Sequence, residues 1–548
     1  MAVALDLADI QGNILSAYGK LGFPKGRFIT LHVSDPDAGR KFVTELLPGI
    51  TTALRWPSHR KPAPPVPAEV RRPDVAVNIA FSFYGLCALD VPTRTLGKMP
   101  DEFVDGMMKR APMLGDNFFP DWKNKWDDVW TAAKTARLTD RETVHILITL
   151  NAQMNPDGNA VAALQAKTDE IEALCKSLDH KVRVLPGHTH AGPGEEPARY
   201  QELSAIMIRM PDGTLVPSPQ EHFGYTDAIG DPVFEGQYPL KTERAGAKGN
   251  GAFDGAGNWR PLATGEFLLG YPDEAQEIAG VPMPLSFSRN GTFMAYRKLH
   301  QNVHAFRKFI DTTAADLAKV WGLPVADAGE VLIAKMAGRW SDGVPLARAP
   351  TVAAWKQFNA QYPGLDPRKD RRAYDEREHA LRDFRYKDDP QGLKCPLTSH
   401  MRRVNTRDML GPTPDAGSVL NNRRRILRRG LPYGDSSPGI TDDKEHGIVM
   451  MVVCASLFRQ YEFVQQQWIN YGLDSSAGND TDPLVGNHAK GVRAPNAKFV
   501  IASDPKTGRP PFIARDLPQF VETRGGEYFF VPSMTALRMI GMGTIDPT

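Results

Sequence analysis

Between residues 28 and 187, short β-type runs alternate with helical ones, and that alternation restricts the fold more than any other feature of the chain. FITLHVSD (28–35) reads as a strand, followed by a short helix around Ala38 to Leu47. VAVNIAFSFYGL, Val75 to Leu86, is a second strand with apolar residues on both faces, as expected of a strand covered on both sides. Asp101 to Arg110 is helical, with Pro100 just ahead of it, where a helix start tolerates proline. VHILITL, Val144 to Leu150, is a third strand; the next helix carries the stripe Val161, Leu164, Ile171 and Leu174. KVRVLPG, Lys181 to Gly187, closes the unit. Strands and helices in this order predict a split βαβ sandwich of the ferredoxin-like type.

A chain of 548 residues exceeds one ordinary core, so two domains or a duplicated unit are expected. The second half repeats the theme less regularly. GTFMAYRKL (291–299) is a strand that runs into a helix with stripe Val303, Phe306, Ile310 and Leu317. GIVMMVVCAS (447–456) is an apolar strand, LFRQYEFVQQQWIN is helical, EYFFVPS is a last strand and Met534 to Ile540 a last helix. No clear sequence repeat links the halves; the pattern alone suggests two α+β units with antiparallel sheets, residues 1–200 and 201–548. Between the elements, Pro57 to Pro73 reads as a loop, Gly-rich 245–259 as a mobile loop, and the charge-dense Arg368 to Lys387 as a solvated helix or surface insertion.

Composition narrows the function classes. Hydrophobic residues at 41% and charged residues at 24% suit a soluble globular protein, and a net charge of +2 gives no reason to propose nucleic-acid binding. The four cysteines, Cys87, Cys175, Cys395 and Cys454, form no CxxC pair, which argues against a disulfide framework, a zinc site or an iron–sulfur cluster. They fit a reducing compartment. The N-terminus lacks a basic region and carries Asp6 and Asp9 in its apolar stretch, and no run is apolar enough for a membrane helix. A cytoplasmic location is therefore expected, with no membrane partner; an oligomer is left open.

Four motifs carry chemistry: EHFGYTDAIGDPVFEG (221–236), TGEFLLGYPDE (264–274), CPLTSHMRRVNTRD (395–408) and RRRILRRGLPYG (423–434). With DIQGNIL near the start, FRQYEFVQQQWIN and RGGEYFFVPS near the end, they make the chain resemble the dye-decolorising peroxidases, haem enzymes built from two ferredoxin-like domains. The resemblance covers most of the chain. It implies haem b in the C-terminal domain, hydrogen peroxide and aromatic electron donors such as dyes and phenols as partners, and roles for named positions. His400 matches the iron ligand, Asp227 the distal acid and Arg428 the distal arginine; Arg429 is a second candidate, toward a haem propionate. The family motif around Asp227 ends in glycine, where this chain has Ala228.

The assignment is chemically coherent. A ferric haem takes a neutral imidazole as axial base. A carboxylate near the opposite face shuttles the peroxide proton, and a fixed guanidinium stabilises the charge that develops as the O–O bond breaks. Activity is expected to be best at mildly acidic pH. Ala228 keeps open a non-catalytic haem carrier or sensor on the same fold, and a haem-free α+β binding module is a further rival. Most of the 13 histidines are expected to be unremarkable. His300 and His304 stand four apart on the predicted helix, but no glutamate completes a metal motif; His188 and His190 are expected to face solvent. Asp231 reads as structural. Glu462 is a candidate carboxylate partner for His400, and Trp468, Tyr461 and Tyr433 are candidate surface relays whose plainer role is packing.

Overall fold

The computed structural model describes residues 3–56, 71–116, 122–131, 143–189, 196–227, 229–253, 258–278, 280–362, 370–410, 419–437, 439–489 and 497–545. Nine strands make its main sheet: β1 Lys25–Val33, β2 Val75–Phe81, β3 Ile146–Ala152, β4 Val182–Val184, β5 Gln201–Ser204, β6 Thr292–Gln301, β7 Leu427–Gly434, β8 His446–Cys454 and β9 Val521–Val531. Spatially the first half runs β2-β3-β1-β4 and the second β7-β8-β6-β9. Numbered within each half, both orders are 2-3-1-4, and every pairing is antiparallel. This is the expected pair of ferredoxin-like units. The two sheets join edge to edge where Phe81 faces Phe530. β5 returns to pair with β1, Gln201 opposite Phe28, so the first sheet borrows a strand from beyond residue 200.

Local chemistry explains where elements stop. The second strand is shorter than its apolar run, because Ser82 Oγ accepts from Gly85 N (3.0 Å) and caps a short helix, Phe83–Ala88. Gly85 is required there: a Cβ would lie 2.0 Å from the His145 carbonyl oxygen. Helix α1, Pro36–Leu46, starts with Asp35 accepting from Ala38 N (2.9 Å) and proline at its first position. Helix α2, Asp101–Leu114, bends at Gly106 (φ 72°), beside the Glu527 carboxylate that accepts from Met107 N. Helix α4, Val303–Trp321, buries its whole stripe, whereas helix α3, Ala163–Ser177, buries Leu164 and Ile171 but starts after Val161 and leaves Leu174 half-buried. The segment LFRQYEFVQQQWI forms wide, π-type turns, Leu457–Glu462 and Val464–Ile469. At functional sites such turns re-aim side chains.

Several expectations are corrected. His300 lies on β6 and His304 on α4, so they share no helix face; the His300 ring bonds the Asp442 carbonyl (2.9 Å). His188 is buried, its Nε2 3.0 Å from Thr30 Oγ1, because the loop carrying it packs between the halves; His190 lies outside the described residues. There the buried Lys298 of β6 donates to Asp127 (2.7 Å) and to the His188 carbonyl (2.6 Å), tying one unit to the other. Part of the Gly-rich stretch is regular: helix Leu240–Ala247 ends in it, and Ala252–Phe253 pairs with Trp259–Arg260. A helix, Arg371–Ala380, forms within the charge-dense stretch. Most of the Pro-rich loop (57–70) and Ala228 lie outside the described residues.

Candidate active site

One cavity of about 480 Å³ opens against the second sheet, a size suited to a cofactor. Its sheet wall follows the period of two that a pleated strand imposes: Arg428, Gly430 and Pro432 on β7, Ile448, Met450 and Val452 on β8, Arg297 and Leu299 on β6. The helical wall holds His400, Val404 and Ile469. The N-terminal segment closes the cavity with Tyr18, Gly19 and Lys20, so both units contribute to it.

His400, Asp227, Arg428 and Arg429 all line this cavity. His400 opens a short helix, α5, His400–Val404, with Ser399 ahead of it. Its Nδ1–H donates to Asp482 Oδ2 at 2.9 Å. The Asp482 carboxylate is fully buried, and its other oxygen accepts from Leu484 N (2.8 Å) and Val485 N (3.0 Å). Burial pushes Asp482 upward, but the His400 ring, Arg403 and the Val485 amide outweigh it and hold the carboxyl below the ordinary value. With Nδ1 engaged, Nε2 is the ring nitrogen left available, the arrangement that fixes tautomer and ring direction in metal-bound histidines.

Asp227 is placed by main-chain bonds. Its N–H donates to the Pro219 carbonyl, and Thr226 N and Oγ1 both donate to the Ser341 carbonyl, each at 2.9 Å. Arg428 reaches it from β7, Nη1 to Asp227 Oδ1 at 2.8 Å. The neighbouring carboxylate raises the Arg428 pKa, so this guanidinium stays charged. Glu221, buried on the same wall, accepts from Phe223 N and Tyr225 N (2.9 Å each) and from the Gln301 amide. Burial pushes it up to about 7. Arg429 donates to the carbonyls of Asn13 (2.9 Å), Ile14 (2.8 Å) and Arg428 (2.7 Å) and meets Asp231 at 3.3 Å. It thus fastens the N-terminal segment to β7, and Asp231 is its counter-ion.

The carboxylate expected beside His400 is a different one. Glu462 is buried against Arg110 (2.6 Å) and the Tyr528 hydroxyl (2.8 Å). Asp482 takes the place instead, from a loop 82 residues beyond His400. Its only local signal is the Asx-type turn of DPLVG, in which the side chain caps its own following amides. Tyr433, Tyr461 and Trp468 are each 2% exposed, so none reaches the surface.

Among the described residues, no group of three or more His, Cys, Asp or Glu side chains is arranged to hold a bare metal ion. A single imidazole backed by a carboxylate, in a cavity with an arginine–carboxylate pair among its lining residues, suits a metal whose remaining ligands belong to a planar prosthetic group. The residues present fit haem.

Comparison with known proteins agrees. The family model described as the DyP dimeric alpha+beta barrel domain matches residues 9–189. Peroxidase 2 of Mycetinis scorodonius is 26% identical, over 98% of this chain and 88% of its own. The multifunctional dye peroxidase DyP2 of an Amycolatopsis species is 31% identical, over 58% of this chain and 61% of its own. Among solved structures, an ancestral D-type dye-decolorizing peroxidase superposes with a TM-score of 0.65 at 25% identity, covering 98% of this chain and 99% of its own. A dye-decolorizing peroxidase in complex with 2,6-dimethoxyphenol gives 0.68 at 23%, covering 98% and 100%, a likeness of fold. The N-terminal unit matches the DyP domain model, and nearly the whole chain is similar in sequence and in fold to dye-decolorising peroxidases.

Proposed function

We propose that this protein is a haem-dependent peroxidase that reduces hydrogen peroxide and oxidises aromatic donors such as phenols and dyes. The observation that carries the reading is one cavity lined both by an imidazole fixed on a buried carboxylate and by an arginine–carboxylate pair. Bound there, haem would supply the redox chemistry that links peroxide reduction to donor oxidation. No cysteine stands in a C-x-x-C-H attachment site, which supports non-covalent haem b. His400 would hold the haem iron through Nε2, and Asp482 would keep that nitrogen aimed and basic.

Asp227 moves the proton. Peroxide entering the cavity loses a proton from one oxygen and gains one on the other, and a single carboxylate can serve both transfers. Arg428 stays protonated and stabilises the negative charge on the departing oxygen, while its bond to Asp227 keeps the carboxylate in reach. Arg429 builds the cavity wall. In this reading residues 201–548 carry the cofactor, and residues 1–200 supply the cover, including the Tyr18–Lys20 turn. The cysteines Cys87, Cys175, Cys395 and Cys454 are free thiols, which supports a reducing, cytoplasmic setting.

The test is an absorption spectrum of protein grown with adequate iron, before and after peroxide, with dye oxidation followed in parallel. A Soret band that responds to peroxide, with dye turnover lost in Asp227→Asn or Arg428→Leu, supports the peroxidase. A Soret band without turnover in the unaltered protein would leave a haem carrier or sensor instead.

A further inference from the structure

The loop that carries Asp482 is fastened by a histidine the mechanism does not use. His488 is buried, with 3% of its surface exposed. Its Nε2 lies 2.8 Å from the Asp482 carbonyl oxygen and its Nδ1 2.7 Å from the Pro518 carbonyl oxygen. Its own main-chain N–H donates to Gln519 Oε1 (2.8 Å), and Gln519 Nε2 donates back to the Gly486 and Val521 carbonyls (3.2 and 2.7 Å). The ring therefore bridges the Asp482 loop to the chain entering β9. A carbonyl oxygen only accepts, and a neutral imidazole has one N–H. Whichever of the two nitrogens carries the proton, a neutral His488 makes one of these bonds and sets a bare nitrogen against the other oxygen. Only the doubly protonated ring makes both.

We propose that His488 is a positioning residue for the His400–Asp482 pair: as an imidazolium it bolts Asp482 to Pro518 and sets a buried positive charge behind the carboxylate that orients His400. The charged groups facing the ring are Asp482 from its own loop and Arg403 from α5. From the strand side it meets the Pro518 carbonyl, the Gln519 amide and the edge of Phe520 (5.7 Å between centroids, 89°). Burial lowers the proton affinity of His488, while the two carbonyls and Asp482 raise it; the net lies below the ordinary imidazole value. The bridge is therefore complete on the acid side, where the proposed reaction is expected to run best. When the proton leaves, one contact turns repulsive and the charge behind Asp482 disappears. Asp482 then pulls harder on the His400 proton, and a more anionic His400 would favour the ferric state of a haem held there.

This inference rests on the haem reading of the cavity, and its experiment separates the two. The midpoint potential of the holoenzyme is titrated between about pH 4 and pH 8, for the unaltered protein and for His488→Gln. The unaltered protein should show the higher potential at the acid end, and the gap should close as the pH rises, before it reaches the ordinary imidazole value of about 6.5. Two parallel curves would overturn the proposal, since a purely structural tie shifts stability without a proton-linked potential. Nitrogen-15 resonance of histidine-labelled protein does not depend on the variant folding. It should reveal a solvent-shielded ring protonated on both nitrogens at the acid end, and the absence of such a ring overturns the proposal. Failure to bind haem sinks the reading of the cavity and leaves the nitrogen-15 result to decide on His488.

Discussion

The two halves share one strand order and fill it differently. In the first, every residue of β2 and β3 is buried, and Phe28, Ile29, Ile148 and Leu150 pack with essentially no exposure. In the second, the same layout leaves a 480 Å³ cavity against the sheet and places Arg297 and Arg428 on its strands. A dry void of that size would cost roughly 10 kcal/mol at about 24 cal/mol per Å³, as much as the whole net stability of a typical domain. Its lining, with Arg297, Arg428 and Asp227, suits solvent or a prosthetic group rather than a dry void. One copy of the fold is thus spent on stability and the other on a site, with a turn of the first copy, Tyr18–Lys20, lent to the second as a wall.

The substitution with the largest expected effect is His400→Ala. It should abolish haem retention and peroxidase turnover, read as loss of the Soret band, while far-UV circular dichroism shows the first sheet intact. Retained haem with full turnover would break the division of labour between the halves. Next come Asp227→Asn and Arg428→Leu. With haem content preserved, kcat/KM for peroxide should fall about 10²–10⁴-fold for a lost proton shuttle and about 10²–10³-fold for a lost charge stabiliser. Smaller still is a matched pair of core truncations. Ile148→Ala, in the filled sheet, should cost about 2–5 kcal/mol in denaturant unfolding. Val452→Ala, on the cavity wall, should cost less, because it enlarges a space already present. Equal costs would mean that the cavity wall is packed as tightly as the first core.

These expectations mirror what was legible in the residues. The α4 stripe could be placed because one-sided burial imposes a period on it, and strand β3 because a strand buried on both faces reads as a continuous apolar run. His400, Asp227 and Arg428 stood out because short motifs surround them, and the fold brings all three to one cavity. Asp482 stayed hidden because its tie to His400 spans 82 residues and is made by tertiary structure alone. Glu462 drew attention by sitting in a familiar segment, yet burial gave it to Arg110 and Tyr528. The end of β2 was missed because apolar residues continue past Ser82, and only the hydroxyl cap reveals the switch to helix. His188 was misjudged because a Gly/Pro loop suggests solvent, whereas this loop is sealed between the units by Lys298.

The smallest effect separates buried groups with opposite proton preferences. Burial pushes Glu221, Glu266 and Glu527, all in the second half, up to about 7. Burial pulls His145 and His188, in the first half, down to about 3. For each glutamate the folded state holds its proton longer than the unfolded chain, so the stability it contributes is complete below about pH 4.5 and is lost as pH rises toward 7. For each histidine the unfolded chain takes the proton first, so the contribution is complete above about pH 6.5 and is lost as pH falls toward 3. His222 and His300 of the second half, pulled to about 4, side with the histidines. Between pH 4.5 and 6.5 the slopes oppose one another, and the melting temperature of the unaltered protein should change little. Difference curves resolve them. Relative to the unaltered protein, Glu527→Gln should look progressively better as pH rises through this window, and His188→Gln progressively better as pH falls. Parallel curves would mean that neither group changes its proton affinity on folding.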